Sequence, residues 1–82
     1  MARPGDEDER YDVILTHLGP RKINVIKLVR ERLGLELPKA RDFVESLPQT
    51  LARDLSSEEA RSLKRRFEQA EATVRLESRG SP

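Results

Sequence analysis

The side chains that most often perform catalysis or bind metals are scarce in this sequence. His17 is the single histidine and cysteine is absent, so neither a histidine–cysteine metal site nor a thiol nucleophile can be assembled. The sequence holds no glycine-rich phosphate loop and no nucleophile paired with a base. The acidic run at residues 6–9 is typical of solvated charge rather than of a cation site. The sequence therefore predicts a protein with no enzymatic activity, no cofactor and no metal.

Side chains suited to binding are concentrated in residues 22–47, where isoleucines lie among cations. If the first half of this stretch is a helix, its apolar side chains cover an arc of about 220°, roughly twice the width that one buried face requires. Ile23 and Ile26 lie at the edge of the arc or beyond it, near Lys27 and Arg30. The tighter apolar group is expected in the core: Val25, Leu28, Val29 and Leu33.

Two interpretations of Ile23 and Ile26 are open on spacing alone. Either these side chains pack against a second helix, or they are exposed and form part of a protein-docking surface. Nearby cations usually form a solvated face, but beside exposed apolar side chains they suit an acidic, partly apolar partner. Spacing alone does not decide between these two interpretations.

A denser basic run follows on the predicted third helix, at Arg61, Lys64, Arg65 and Arg66. Phosphate binding needs clustered cations, so binding of RNA or DNA is an alternative function. Acidic residues are interspersed with this run, the net charge is +1, and Phe43 and Phe67 belong to predicted core stripes. Few aromatic side chains are left for base stacking, so nucleic acid is not the partner we expect.

The elements that position these side chains follow from periodicity and chain breakers. Residues 11–15 predict a strand, a first helix is expected from about residue 20 or 21 to Leu33, and Gly34 follows its end. Residues 50–55 are ambiguous between a short strand and a loop, and residues 73–77 predict a closing strand.

Two further helices have clear start signals. Pro38 suits the first turn of the second helix, and Phe43 is central on its apolar stripe and is expected to be deeply buried. Ser56 and Glu59 form a capping box that begins the third helix. The order predicts an α+β fold, a two-layer β-α-α-β-α-β sandwich with a three-stranded sheet and three helices on one face.

Length and composition bound the organisation. The 82 residues suit one domain, which we assign to residues 11–77, with a disordered leader at 1–10 and a disordered tail at 78–82. No apolar run is long enough for a signal peptide or a membrane span, so we expect a cytoplasmic protein that does not bind membranes.

Several motifs at matching spacing resemble one known family, the C-terminal domain of the bacterial ribosomal stalk protein L7/L12. The resemblance covers residues 11–77 without a gap and is carried by residues 11–15, 22–30, 34–37, 40–46 and 48, and by Ala60, Leu63, Lys64, Ala70 and Val74.

The resemblance implies both the fold derived above and a function. Domains of this family recruit translational GTPases to the ribosome through a surface on their first two helices. Carried over position by position, the implied partner-binding residues are Lys22, Ile23, Ile26, Lys27, Arg30 and Arg41. The resemblance thereby favours the docking interpretation, and we expect Ile26 to be exposed.

The sequence also departs from the family. The family's full protein has an N-terminal dimerisation region and a hinge, which this sequence does not show, so we expect a stand-alone paralogue or a fragment. Glu36, Asp54 and Glu71 occupy positions where the family tends to have glycine, and the last two are expected to affect their turns. An alternative function is that of an adaptor for an AAA+ protease, by fold analogy with the ClpS adaptors.

Overall fold

The computed structural model describes residues 9–79, which form three strands and three helices in the predicted order. Residues 1–8 of the expected leader and 80–82 of the expected tail lie outside the described residues. The elements are β1 (Arg10–His17), α1 (Lys22–Leu33), α2 (Leu37–Glu45), β2 (Gln49–Ser56), α3 (Ser57–Gln69) and β3 (Thr73–Ser78).

The three strands form one antiparallel sheet in the order β2-β1-β3. Residues 50–55, which the sequence left ambiguous, belong to the edge strand β2, where Leu51 is buried. The pairing of β1 with β2 is irregular on either side of Val13, whereas Tyr11 to Leu15 pair without interruption with β3. The two edges of the sheet therefore differ, and the edge formed by β3 is the more regular one.

The core lies on one face of the sheet, beneath the helices. Val13 and Leu15 of β1 join one buried cluster with Val25 of α1 and Phe67 of α3. Because side chains alternate along a strand, Ile14 points to the opposite face, where it is nonetheless almost fully buried. The sandwich predicted from the sequence, α+β with two layers, is confirmed.

Local signals define the helix ends as expected. The α1 helix is followed by Gly34, whose left-handed φ of 66° lets its N–H donate to the carbonyl of Arg30 at 2.8 Å. At the start of α3 the Ser56 hydroxyl accepts from the Glu59 N–H and the Glu59 carboxylate accepts from the Ser56 N–H, both at 3.1 Å. The predicted capping box is therefore present.

The packing of α2 differs from the prediction in one respect. Ala40 and Val44 are buried, but Phe43 is only half-buried and packs against the margin of the core, so the prediction of a deeply buried ring was wrong. The reason is that α2 packs on α1 rather than directly on the sheet. Phe67 of α3 is the large aromatic side chain in the centre of the core.

Two turns adopt a left-handed backbone at non-glycine residues. Asp54 has a φ of 61° and Glu71 a φ of 64°, so the backbone there keeps a conformation that favours glycine. Asp54 pairs with Arg10 at 3.2 Å, and Glu71 pairs with Arg21. The Glu71 turn also lies against Gly19, where an added Cβ would be 2.1 Å from the Glu71 carbonyl oxygen. Both side chains are exposed and form ion pairs at these turns.

Candidate functional site

The α1 and α2 helices form an antiparallel hairpin that carries the predicted partner-binding residues. At its open end Lys22 Nζ lies 3.7 Å from Glu45 Oε2, which joins the start of α1 to the end of α2. At its closed end the Arg30 Nε donates to the carbonyl of Leu35 at 3.4 Å, a long hydrogen bond to the connecting segment. Both ends of the outer surface are therefore tied to the partner helix or to the loop.

Ile26 is not part of the exposed surface, and its predicted exposure was wrong. Its side chain is only 5% exposed and joins the same buried cluster as Ala40 and Val44 of α2. The helix α2 packs against α1 and so buries a second sector of the apolar arc beside the one that faces the sheet. Packing against a second helix, the first of the two interpretations, is thus the one that applies to Ile26.

Ile23 behaves in the opposite way. It is 75% exposed in the first turn of α1, although it lies only three residues before Ile26. Leu37, at the start of α2, is the other large apolar side chain with substantial exposure among residues 9–79, at 39%. Leu37 is the first residue of α2, and only this place in the tertiary structure shows that its side chain is exposed.

The predicted cations are exposed on the same two helices as Ile23 and Leu37. Lys22, Lys27 and Arg30 are exposed on α1, and Arg41 is exposed on α2, one helical turn before Glu45. Within residues 9–79 neither Lys27 nor Arg41 forms an ion pair. We call the set of Lys22, Ile23, Lys27, Arg30 and Arg41 the α1–α2 face.

A shallow open depression lies beside this face, at the end of α1. It is lined by Lys27, Arg30, Glu31, Gly34 and Leu35. Arg66 of α3 pairs with Glu31 at 3.2 Å, whereas Lys27 and Arg30 form no ion pair within residues 9–79. The depression is too open to enclose a small molecule.

The basic run on α3 is partly neutralised. Lys64 pairs with Glu68 at 3.9 Å and Arg66 pairs with Glu31 at 3.2 Å, whereas Arg61 and Arg65 form no ion pair within residues 9–79. Phosphate binding requires several cations that are available together. Two of the four are already paired, which weakens the nucleic-acid interpretation.

Two carboxylates whose pKa values are lowered lie away from the α1–α2 face. The pKa of Asp12 is lowered, first by the hydrogen bond from Arg79 at 2.8 Å and then by the backbone N–H of Asp54 at 3.1 Å. The pKa of Glu59 is lowered by the Ser56 backbone N–H and hydroxyl of the capping box. These groups stabilise turns and a helix start, and they do not form a reactive constellation.

Neither metal nor membrane chemistry is indicated by the described part of the chain. Residues 9–79 contain no cluster of three or more potential metal ligands, and His17 is exposed, with its ring nitrogen 3.1 Å from the Thr16 hydroxyl. No helix among these residues has both the length and the apolar character needed to cross a membrane.

Comparison with known proteins gives a consistent result. Residues 11–77 match the family model of the ribosomal protein L7/L12 C-terminal domain. The large ribosomal subunit protein bL12 of Heliobacterium modesticaldum is 44% identical over 75 residues, which cover 92% of this chain and 60% of the relative. The bL12 proteins of a Sulfurihydrogenibium species and of Psychrobacter arcticus are 45% and 44% identical over 73 and 71 residues. Those alignments cover 89% and 87% of this chain but only 57% and 58% of the relatives, so the chain spans about three fifths of their length.

Proposed function

Because the chain belongs to the family of the ribosomal protein L7/L12 C-terminal domain, we propose that it docks translational GTPases through its α1–α2 face. Membership confirms the resemblance found in the sequence. It also supports the interpretation of this chain as a non-enzymatic protein of the translation apparatus. Association with the ribosome, and therefore a location in the cytoplasm, form part of the same proposal.

The exposure of Ile23 is the observation that carries this proposal. An isoleucine that is 75% exposed contributes hydrophobic stabilisation only when a partner covers it and removes its apolar surface from water. Full burial of such a side chain stabilises a complex by about 1.5–3 kcal/mol, which makes Ile23 the best candidate for an apolar anchor. Ile26 takes a different role from the one first expected, since it holds α1 against α2 and thereby sets the orientation of the face.

The surrounding cations supply the long-range attraction. Lys27 and Arg41 have no acidic partner within residues 9–79, so a negatively charged partner does not have to displace an existing ion pair from them. Lys22 is held by Glu45 at 3.7 Å and is the less available cation. Attraction of this kind mainly raises the association rate and declines with salt, whereas burial of Ile23 mainly slows dissociation.

The test measures the affinity of purified variants for a translational GTPase in its GTP-bound form. Ile23→Asp is expected to weaken binding by about thirtyfold, or about 2 kcal/mol, because a carboxylate replaces an apolar anchor that must be desolvated. Lys27→Glu is expected to lower the association rate, more at low salt than at high salt.

A matched control uses the other basic surface. Simultaneous replacement of Arg61, Lys64 and Arg65 by glutamine removes three cations from α3 and should leave GTPase binding nearly unchanged. If this triple variant loses GTPase binding while Ile23→Asp keeps it, the docking surface lies on α3. If it loses RNA binding instead, nucleic acid is the partner of α3.

A further inference from the structure

The strand β3 forms an outer edge of the sheet. Because the strand order is β2-β1-β3, no strand within residues 9–79 lies beyond it. Its pairing with β1 is uninterrupted from Leu15↔Val74 to Tyr11↔Ser78, and it contains no proline. Proteins commonly protect such a regular edge with a bulge, a proline or charged side chains, since an unpaired edge can add another strand.

The direction of the backbone groups follows from one hydrogen bond. The Arg79 N–H donates to the carbonyl of Arg10 at 2.8 Å, next to the pair Tyr11↔Ser78. Hydrogen-bonded and non-hydrogen-bonded pairs alternate in an antiparallel ladder, so the backbone groups of Glu77 and Arg75 also face β1. Those of Leu76 point away from β1, towards the outside of the sheet.

The side chains on this strand are charged with opposite signs at a spacing of two. Arg75 and Glu77 lie on the open face of the sheet, opposite Ile14 and Asp12, with their Nη2 and Oε2 atoms 2.7 Å apart. Both remain about half exposed, at 56% and 49%. Leu76, between them, points to the core side and is only half-buried.

We propose that β3 is a self-association edge, on which a second copy of this chain adds its own β3 in antiparallel orientation. The two-fold axis passes beside Leu76, so that Leu76 of one copy lies opposite Leu76 of the other. Their outward N–H and C=O groups then form a reciprocal pair of hydrogen bonds, and the two sheets become one of six strands.

Charge selects this register over its neighbours. With Leu76 opposite Leu76, Arg75 of each copy faces Glu77 of the other, which gives two favourable cross-strand pairs. A shift that places Arg75 at the axis sets arginine against arginine, and a shift to Glu77 sets glutamate against glutamate. Like charges directly opposite are destabilising, so the register centred on Leu76 is the self-complementary one.

This edge does not overlap the α1–α2 face, so the two proposals can fail independently. Dimerisation through β3 would leave Ile23 exposed on each copy, since Ile23 belongs to α1 and α1 is not part of the sheet. One particle would then present two docking faces to its partners.

The test follows the monomer–dimer equilibrium by analytical ultracentrifugation over a range of chain concentrations. The parent chain should dimerise as concentration rises. Arg75→Glu and Glu77→Arg should each weaken dimerisation by about tenfold or more, because two attractive pairs become repulsive. A mixture of the two variants should form a heterodimer, since every cross-strand pair is again of opposite sign.

The absence of cysteine allows a direct check of the register. A mixture of Arg75→Cys and Glu77→Cys should form an intermolecular disulfide faster than either variant alone, because these positions face each other at a separation that a disulfide can span. Arg61→Glu on α3 is the charge control and should dimerise as the parent does.

A parent chain that stays monomeric at every concentration tested would overturn the proposal. So would a dimer that tolerates both charge reversals, or whose mixed variants fail to associate, since another surface would then form the contact. Loss of GTPase binding by Ile23→Asp bears only on the docking function.

Discussion

Replacing each of the two isoleucines of α1 by aspartate should have opposite consequences for stability. Ile23 and Ile26 lie on the same helix, three residues apart, but one is 75% exposed and the other 5% exposed. The same chemical change therefore compares the surface of α1 with its buried side, in nearly the same helical context.

For Ile26→Asp the loss follows from burial. Removing the apolar side chain forfeits about 1.5–3 kcal/mol of hydrophobic stabilisation. Placing a carboxylate without a partner in the cluster shared with Val25 and Val44 adds several kcal/mol, whether it stays charged or is protonated. The sum is comparable with the 5–15 kcal/mol, roughly, that stabilises a small domain, so we expect the variant to be unfolded or nearly so at room temperature.

For Ile23→Asp the expected change in stability is small. The first turn of α1 has no acidic residue, and its N-terminal Arg21 makes no side-chain capping hydrogen bond. An aspartate there interacts favourably with the helix dipole, by about 0.3–1 kcal/mol, which offsets its weaker helix propensity. The net effect should stay within about 0.5 kcal/mol of the parent.

The assay is chemical denaturation of the parent and both variants, followed by circular dichroism. Ile26→Val serves as the conservative control and should lose only about 0.5–1.5 kcal/mol. A folded Ile26→Asp with parental stability would refute the packing of α2 over this side chain.

Three further perturbations test the turns, the helix start and the ion pairs. Gly19→Ala should destabilise the fold by about 3 kcal/mol or more, because its Cβ would be 2.1 Å from the Glu71 carbonyl oxygen. Gly34→Ala, whose Cβ would have no atom within 4 Å, should lose only about 1–2 kcal/mol in the same denaturation assay. Ser56→Ala should lower the free energy of unfolding by about 0.5–2 kcal/mol and leave the sheet intact in its amide exchange pattern. Since the folded-state pKa of Asp12 is lowered, its contribution to the stability of the fold is present above the ordinary aspartate pKa of about 3.9 and is lost as pH falls through and below that value. Asp12→Asn should therefore show a smaller fall in melting temperature between about pH 7 and about pH 3 than the parent.

Local signals determined the order and type of most elements. The αL glycine after α1, the proline in the first turn of α2 and the Ser56–Glu59 capping box act within a few residues of the chain, so they can be recognised without any knowledge of packing. The family followed in the same way, from motifs at matching spacing, and with it the identity of the exposed cations. Residues 50–55 remained ambiguous because a short strand is stabilised by its neighbour, and β1 is distant from β2 in sequence.

Only the tertiary structure decided which apolar side chains of α1 are buried. A helical wheel shows that the apolar arc is too wide for one buried face, but it does not show which side of the arc a second helix covers. The packing of α2 on α1 buries Ile26 and leaves Ile23 exposed, and the same arrangement holds Phe43 at the margin of the core. Burial depends on contacts between elements that are separate in sequence. The family resemblance could therefore supply the candidates for the site, but the fold alone determined which of them are exposed.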